Sequence, residues 1–273
     1  MTECDLCFHR CQLNEGQVGF CRARKNAEGK IIPLNYGRVT SIALDPIEKK
    51  PLKYFCPGSM ILSIGGFGCN LRCPFCQNYS ISMADEKIHT RYLSIENAAE
   101  LASSLKKDGN IGIAYTYNEP LINFEYVLDC AIAIRNMGMV NVLVTNGTIE
   151  EEPLKKILPY IDAYNIDLKG FNQIFYDKLC GNLESVKRTI QLASEVAHVE
   201  ITFLVIEGEN DSDNDMEEMA KWLSGINPDI PLHINRFFPN YLWKDRNVTS
   251  KETLIRLKLI AKRYLHRVSL GNI

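Results

Sequence analysis

The 273-residue sequence predicts an α/β fold: a partial (β/α)6 TIM-type barrel over residues 59–273, preceded by a small cysteine-rich metal-binding module over residues 1–58. Three observations predict it. After residue 59, apolar runs of strand length alternate about six times with amphipathic helical stretches, and repeated βα alternation implies a parallel sheet with right-handed crossovers. The roughly 215 residues available are short for eight full units. The first 21 residues hold four cysteines in polar, glycine-containing sequence, with too few apolar residues to build a core of their own.

Composition narrows the function classes. Thirty-one Lys and Arg against 33 Asp and Glu leave a net charge of −2, which points to neither nucleic acid nor an anionic membrane as partner. No charged-then-apolar leader is present, and no apolar run approaches membrane-spanning length. Ten cysteines without an export signal favour reduced thiols and metal sites over disulfides, so the chain reads as cytoplasmic.

Taken in order, Cys4, Cys7, Cys11 and Cys21 form a C-x2-C-x3-C-x9-C set. Such a set reads as a closed metal site whose ion supplies much of the local folding energy. Zinc with four cysteines and an auxiliary iron–sulfur cluster both fit, and the blander alternative is four unligated thiols. Ile31 to Leu44 reads as two short strands turning at Gly37. Asp45-Pro46-Ile47-Glu48-Lys49-Lys50-Pro51-Leu52 is a charged run between prolines; it predicts no regular element and, on composition, an exposed loop.

Met60 to Ile64 reads as a buried strand. It leads into Gly65-Gly66-Phe67-Gly68-Cys69-Asn70-Leu71-Arg72-Cys73-Pro74-Phe75-Cys76-Gln77-Asn78, where Cys69, Cys73 and Cys76 stand in a C-x3-C-x2-C arrangement. The glycines let the backbone turn sharply beside a bulky ligand. A disulfide would leave one cysteine over, a structural zinc needs four ligands, and three cysteines alone are an unusual catalytic zinc set. Three thiolates on a four-iron cluster leave one iron open for chemistry.

The alternation follows. A helix capped by Ser94 carries Ile95, Ala98, Ala99, Ala102 and Leu105 and ends at Asp108-Gly109. Strands are predicted at Ile111–Tyr115, Val140–Val144, Ala163–Leu168, Val199–Ile206 and Pro231–Ile234. Helices are predicted from Leu121 to Gly138, Glu151 to Leu158 and Leu183 to Val196, and around Met216–Leu223. A Thr249/Glu252 capping box opens the last.

In parallel α/β folds, ligand groups collect at the C-terminal ends of strands. Four polar clusters fall there: Tyr117-Asn118-Glu119-Pro120, Thr145-Asn146-Gly147, Asp167-Leu168-Lys169, and Glu209-Asn210-Asp211 closing the Glu200 to Asp211 stretch. His233 on an apolar strand reads as a satisfied core residue, and Cys56, Cys130 and Cys180 as small apolar fillers, with Cys180 also a candidate substrate-side thiol.

The cysteine spacing, with Phe75 before the last cysteine, resembles the radical S-adenosylmethionine (radical SAM) superfamily. The Cys-Pro-Phe-Cys-Gln-Asn context is similar to the branch of pyruvate formate-lyase activating enzyme. The Asp45–Leu52 run, Phe55-Cys56-Pro57-Gly58 and the N-terminal cysteines resemble the radical SAM component of the AmmeMemoRadiSam system. The resemblance is dense over residues 4–78 and looser beyond.

It implies a [4Fe–4S] cluster on Cys69, Cys73 and Cys76, with SAM as its partner. By the same resemblance Glu119 receives the SAM amino group, and Lys169, oriented by Asp167, meets its carboxylate or ribose. Phe75, Asn78, Thr145, Asn146, Thr202 and Ile206 complete the cofactor-binding set. Tyr117-Asn118 depart from the family's Gly-Gly, and Val144 stands where the activating enzymes have an aspartate. The Asp45–Leu52 loop is expected near the cluster, with Glu48, Lys49 and Lys50 toward substrate. A one-electron donor such as flavodoxin or ferredoxin and a protein substrate, as in glycyl-radical activation, are the implied partners. The competing class is a non-catalytic adapter that binds zinc through both cysteine sets.

Overall fold

A computed structural model describes residues 1–273. An eight-stranded sheet organises the chain, its strands lying side by side in sequence order: β1 (Ser41–Pro46), β2 (Met60–Gly65), β3 (Asn110–Tyr115), β4 (Val140–Thr145), β5 (Ala163–Asp167), β6 (His198–Val205), β7 (Leu232–Arg236) and β8 (Val268–Gly271). Strands β2 to β8 are parallel, and β1 pairs antiparallel with β2. The edge strands β1 and β8 do not pair with each other, so the barrel is open.

Helices follow the strands: α1 (Ile95–Ser104), α2 (Phe124–Asn136), α3 (Glu151–Ile157), α4 (Gln173–Lys178), α5 (Leu183–Ser194), α6 (Asp213–Ile226) and α7 (Lys251–Ala261). The expected six strand–helix units are present, and β8 follows them as a seventh parallel strand. That strand escaped the sequence reading because it is four residues long and only Val268 is buried. Helix α4 escaped it too; the Asn172 side chain caps it by accepting from Phe175 N–H. At α7 the cap is Ser250, which accepts from Thr253 N–H, whereas the Thr249 hydroxyl is taken by the Val205 carbonyl at 2.6 Å.

The outer faces of the strands and the inner stripes of the helices make the main core, including Leu62, Ile64, Ile113, Leu143, Ile166 and Ile201. Inside the barrel a smaller cluster joins Ile61, Ala114, Val142 and Ala163 to Ile47 and Leu52, all fully buried. Small strand residues leave the lower barrel hollow, and the segment between β1 and β2 fills it. Burying Leu52 this way is worth about 2 kcal/mol.

This overturns the expectation of an exposed loop without regular structure. Asp45 and Pro46 pair in β1, Ile47–Lys49 forms a 3₁₀ turn, and Lys50 is buried. The sheet therefore runs across the division expected at residue 58. Lys50 Nζ donates to Asp45 Oδ2 at 2.8 Å, Tyr117 donates to the same oxygen at 2.8 Å, and the ammonium lies 4.8 Å from the Tyr117 ring centre. Further along, Lys53 and Tyr54 N–H groups donate to the buried Glu200 carboxylate at 3.0 and 2.8 Å. His198 and His233 complete its shell at 2.9 and 2.5 Å. His233 is thus a satisfied interior residue, as its strand position predicts.

Candidate active site

The loop after β2 carries Cys69, Cys73 and Cys76. Gly68 makes it possible: its φ is +85°, and a Cβ there would lie 2.5 Å from the Cys21 carbonyl oxygen. The three cysteines line one cavity of ≈ 270 Å³ at the C-terminal ends of the strands. The same wall contains Phe75, Asn78, Glu119, Thr145, Asn146, Asp167, Lys169 and Thr202. Ile206 is not part of it; it packs behind, with Leu71, Phe75, Phe175 and Phe237. Glu48, Lys49 and Lys50 do not line the cavity either, because the loop enters the barrel from the opposite end.

Glu119 is the charged centre of the wall. It is 3 % exposed, and its carboxylate accepts from Thr145 Oγ1 (2.7 Å), Leu121 N–H (3.0 Å) and Asn146 N–H (2.8 Å). No cation reaches it. Burial pushes its carboxyl up to about 7, against the pull of those three donors. Through Leu121 N–H the same side chain caps the 3₁₀ turn Pro120–Asn123 while it lines the cavity.

Opposite stand Asp167 and Lys169, joined at 2.7 Å. Burial opposes the Lys169 ammonium, and the Asp167 carboxylate more than compensates, holding it charged. Phe75 lies parallel to Phe175 at 6.4 Å and meets Trp243 at 5.4 Å, so its ring is a rigid wall. Asn78 Nδ2 donates to the Tyr117 carbonyl at 2.7 Å, tying the end of the cysteine loop to the end of β3. Tyr117 has a φ of +73°, a conformation its β-carbon disfavours, and Gly65 leaves the space its ring needs.

The sulfurs are poised as acceptors. Leu71 N–H and Asn146 Nδ2 approach Cys69 Sγ at 3.4 and 3.7 Å. Burial raises the Cys73 thiol to about 12 and the Cys69 thiol well above its usual value, so both need a cation to ionise. No group of three or more His, Cys, Asp or Glu side chains is gathered around a single-ion position anywhere in the chain. All ten cysteines are unpaired. Cys130 is the small buried filler expected, but Cys56 and Cys180 are exposed, since each sits in a tight turn at positive φ.

Cys4, Cys7 and Cys11 lie within one short hairpin and Cys21 just before a second, against the active-site loop; Cys11 is half-buried and the other three are buried. Burial raises Cys7 to about 12 and Cys21 to about 11. Sequence reasoning missed Asn272, which joins the cavity wall from beyond β8, and Asn70, which bridges the two cysteine segments. Asn70 carried no signal beyond lying inside the cysteine loop, and Asn272 carried none.

A family model described as the radical SAM superfamily matches residues 63–223. An uncharacterized protein of Methanocaldococcus jannaschii is 40% identical over 277 residues, covering 100% of this chain and 81% of that protein. The 4-hydroxyphenylacetate decarboxylase activating enzyme of Clostridium scatologenes is 20% identical, over 56% of this chain and 52% of the enzyme, so the match spans about half its length. Among solved structures, a domain of the pyruvate-formate lyase-activating enzyme from Bacteroides vulgatus superposes with a TM-score of 0.51 at 21% identity, covering 59% of this chain and 99% of that one. No helix is long and apolar enough to cross a membrane.

Proposed function

The chain belongs to the radical SAM superfamily, and from that premise we propose that it takes a hydrogen atom from a partner protein, in the manner of an activating enzyme. Family membership implies a [4Fe–4S] cluster and SAM. The observation that carries the site reading is that Cys69, Cys73 and Cys76 share one cavity with Glu119, a buried carboxylate that no cation of the chain neutralises. Three thiols and an uncompensated anion fit a cluster with one open iron and a ligand bearing an ammonium group.

When bound, the cluster and SAM supply a 5′-deoxyadenosyl radical able to remove hydrogen from a substrate. The chain's residues do the rest. Cys69, Cys73 and Cys76 hold the cluster as thiolates. Glu119 accepts the methionine ammonium and stays ionised beside it. Lys169, oriented by Asp167, donates to the carboxylate or ribose hydroxyls. Phe75 offers its face to the adenine, and Asn78, Thr145, Asn146 and Thr202 donate or accept around the rest. Ile206 acts behind Phe75, keeping that ring in place. The reducing electron comes from a donor such as flavodoxin or ferredoxin, and a cytoplasmic setting, which keeps thiols reduced, suits a chain that needs its cysteines as metal ligands. A second metal on Cys4, Cys7, Cys11 and Cys21, zinc or an auxiliary cluster, belongs to the same proposal.

Support for a protein substrate comes from the C. scatologenes relative, itself an activating enzyme. The test is anaerobic reconstitution, then an assay for 5′-deoxyadenosine with a low-potential reductant and candidate partner proteins. Reductive cleavage that accelerates with a partner is the expected result. Zinc in place of iron on Cys69, Cys73 and Cys76, with no cleavage, would turn the reading to an adapter.

A further inference from the structure

The four-cysteine segment is built against the active-site loop. Cys69 N–H donates to the Cys21 carbonyl at 3.2 Å. Gly68 permits that approach, since any side chain there would meet the same carbonyl. The His9 ring donates to the Asn70 carbonyl at 2.9 Å. Asn70 accepts from Asn146 Nδ2 at 2.9 Å, and Asn146 in turn reaches Cys69 Sγ and, through its N–H, Glu119. Arg72 stacks on Phe20 at 4.0 Å and donates to the Phe20 and Cys69 carbonyls. A continuous set of hydrogen bonds thus runs from the N-terminal segment to the wall of the cavity.

That segment has little of its own to hold it. Leu6 and Leu13 are its buried aliphatic side chains before residue 22. Yet it keeps Arg10 and Arg22, which adjoin Cys11 and Cys21, at φ of +40° and +64°. Beside Cys4 lies Arg24, only 6 % exposed; its two terminal nitrogens pair with Glu125 at 2.8 and 2.7 Å, but its buried Nε has no hydrogen-bond partner. A Cys4 thiolate would give that nitrogen the acceptor it lacks, and Phe20 N–H already points at Cys11 Sγ at 3.5 Å. Four cysteine sulfurs in a segment with so little core are what a metal centre would tie together.

We propose that Cys4, Cys7, Cys11 and Cys21, whose sulfurs are not gathered around one single-ion position in this structure, are drawn by a thiophilic metal into a closed four-thiolate centre, and that its occupancy positions Cys69 in the active-site loop. This rests on the second-metal reading above and extends it. Metal bound there fixes the Cys21 carbonyl and His9, and through them the Cys69 amide and the Asn70 carbonyl. Without it the short hairpins lose their anchor, and the loop that holds the catalytic cluster loosens.

Two measurements separate the two claims. First, the Cys69→Ala/Cys73→Ala/Cys76→Ala protein, purified anaerobically, is analysed for zinc, iron and sulfide. About one zinc, or the iron and sulfide of one cluster, per chain is expected. A metal-free chain overturns the centre, and the metal found says which kind it is. Second, amide exchange at residue 69 of the same variant, whose N–H is held by the Cys21 carbonyl, is followed with the N-terminal metal bound and after its removal by a chelator. Exchange roughly fivefold faster without the metal is expected; equal rates overturn the positioning claim alone. Cys11→Ser, where it folds, is expected to retain severalfold less iron on Cys69, Cys73 and Cys76, and full iron there overturns the same claim.

Discussion

The barrel buries one glutamate toward each end, and the two are treated in opposite ways. Glu200, in the lower barrel, receives two backbone N–H groups and two imidazoles. Burial works against its ionisation, but His198 and His233, then Tyr54 and Lys53, hold its carboxyl down to about 2. Glu119, at the open end, receives three donors and no basic partner, and burial lifts it to about 7. Where the chain completes the shell of a buried charge, that charge is structural. Where it leaves the shell short beside a cavity, the missing partner comes from outside.

The comparison breaks first at the cysteines. Cys73→Ala is expected to remove cluster iron and reduce 5′-deoxyadenosine to background while the far-ultraviolet circular dichroism stays that of the folded barrel. Retained SAM cleavage would sink the cluster assignment.

Next is Glu200→Gln. The drop from an ordinary 4.5 to about 2 makes the carboxylate worth about 3 kcal/mol at pH 7. A lowered folded-state pKa means this stability is present above about pH 4.5 and is lost as pH falls toward 2. Urea unfolding at pH 7 and at pH 3.5 should therefore show a deficit for the variant that is smaller at the second than at the first. Equal deficits would show that the donors, not the charge, matter.

Glu119→Gln should behave differently. It keeps the shape, so iron content is expected unchanged, but it removes the anion offered to an ammonium. SAM binding by equilibrium dialysis should weaken about 30-fold, the equivalent of about 2 kcal/mol for a charged hydrogen bond. Unaltered binding would mean that Glu119 is only a helix cap. The smallest effect is His198→Ala, expected to cost about 1 kcal/mol in urea unfolding, because three other groups still satisfy Glu200.

Most of the architecture was legible because it is periodic. Val140–Thr145 and Ala163–Asp167 announce buried strands, and Ser94 and the spacing of Ala98 and Ala102 announce α1. The cysteine loop was legible because three thiols at that spacing have few other uses. What the sequence hid is long-range. The charges of the Asp45–Leu52 run masked Ile47 and Leu52, whose burial depends on Ala114, Val142 and Ala163 being small enough to leave a hole. Lys50 reads as solvent-exposed until Asp45 and Tyr117 close on it. The role of Glu200 was not legible, because nothing local says that its face of the strand is the barrel interior. Helix α4 was lost because Ile174, Phe175 and Tyr176 sit consecutively and give no helical stripe.

The unpaired edges β1 and β8 have a mechanical consequence. A staved cask keeps its girth by its hoops, and this one has a gap between two staves. Across that gap run a Lys53-to-Ser269 contact of 3.5 Å and the stacking of Arg267 on Tyr54, both made by the segment that also fills the base. The stopper is therefore also the strap across the gap, and substitutions at Ile47 or Leu52 should loosen both at once.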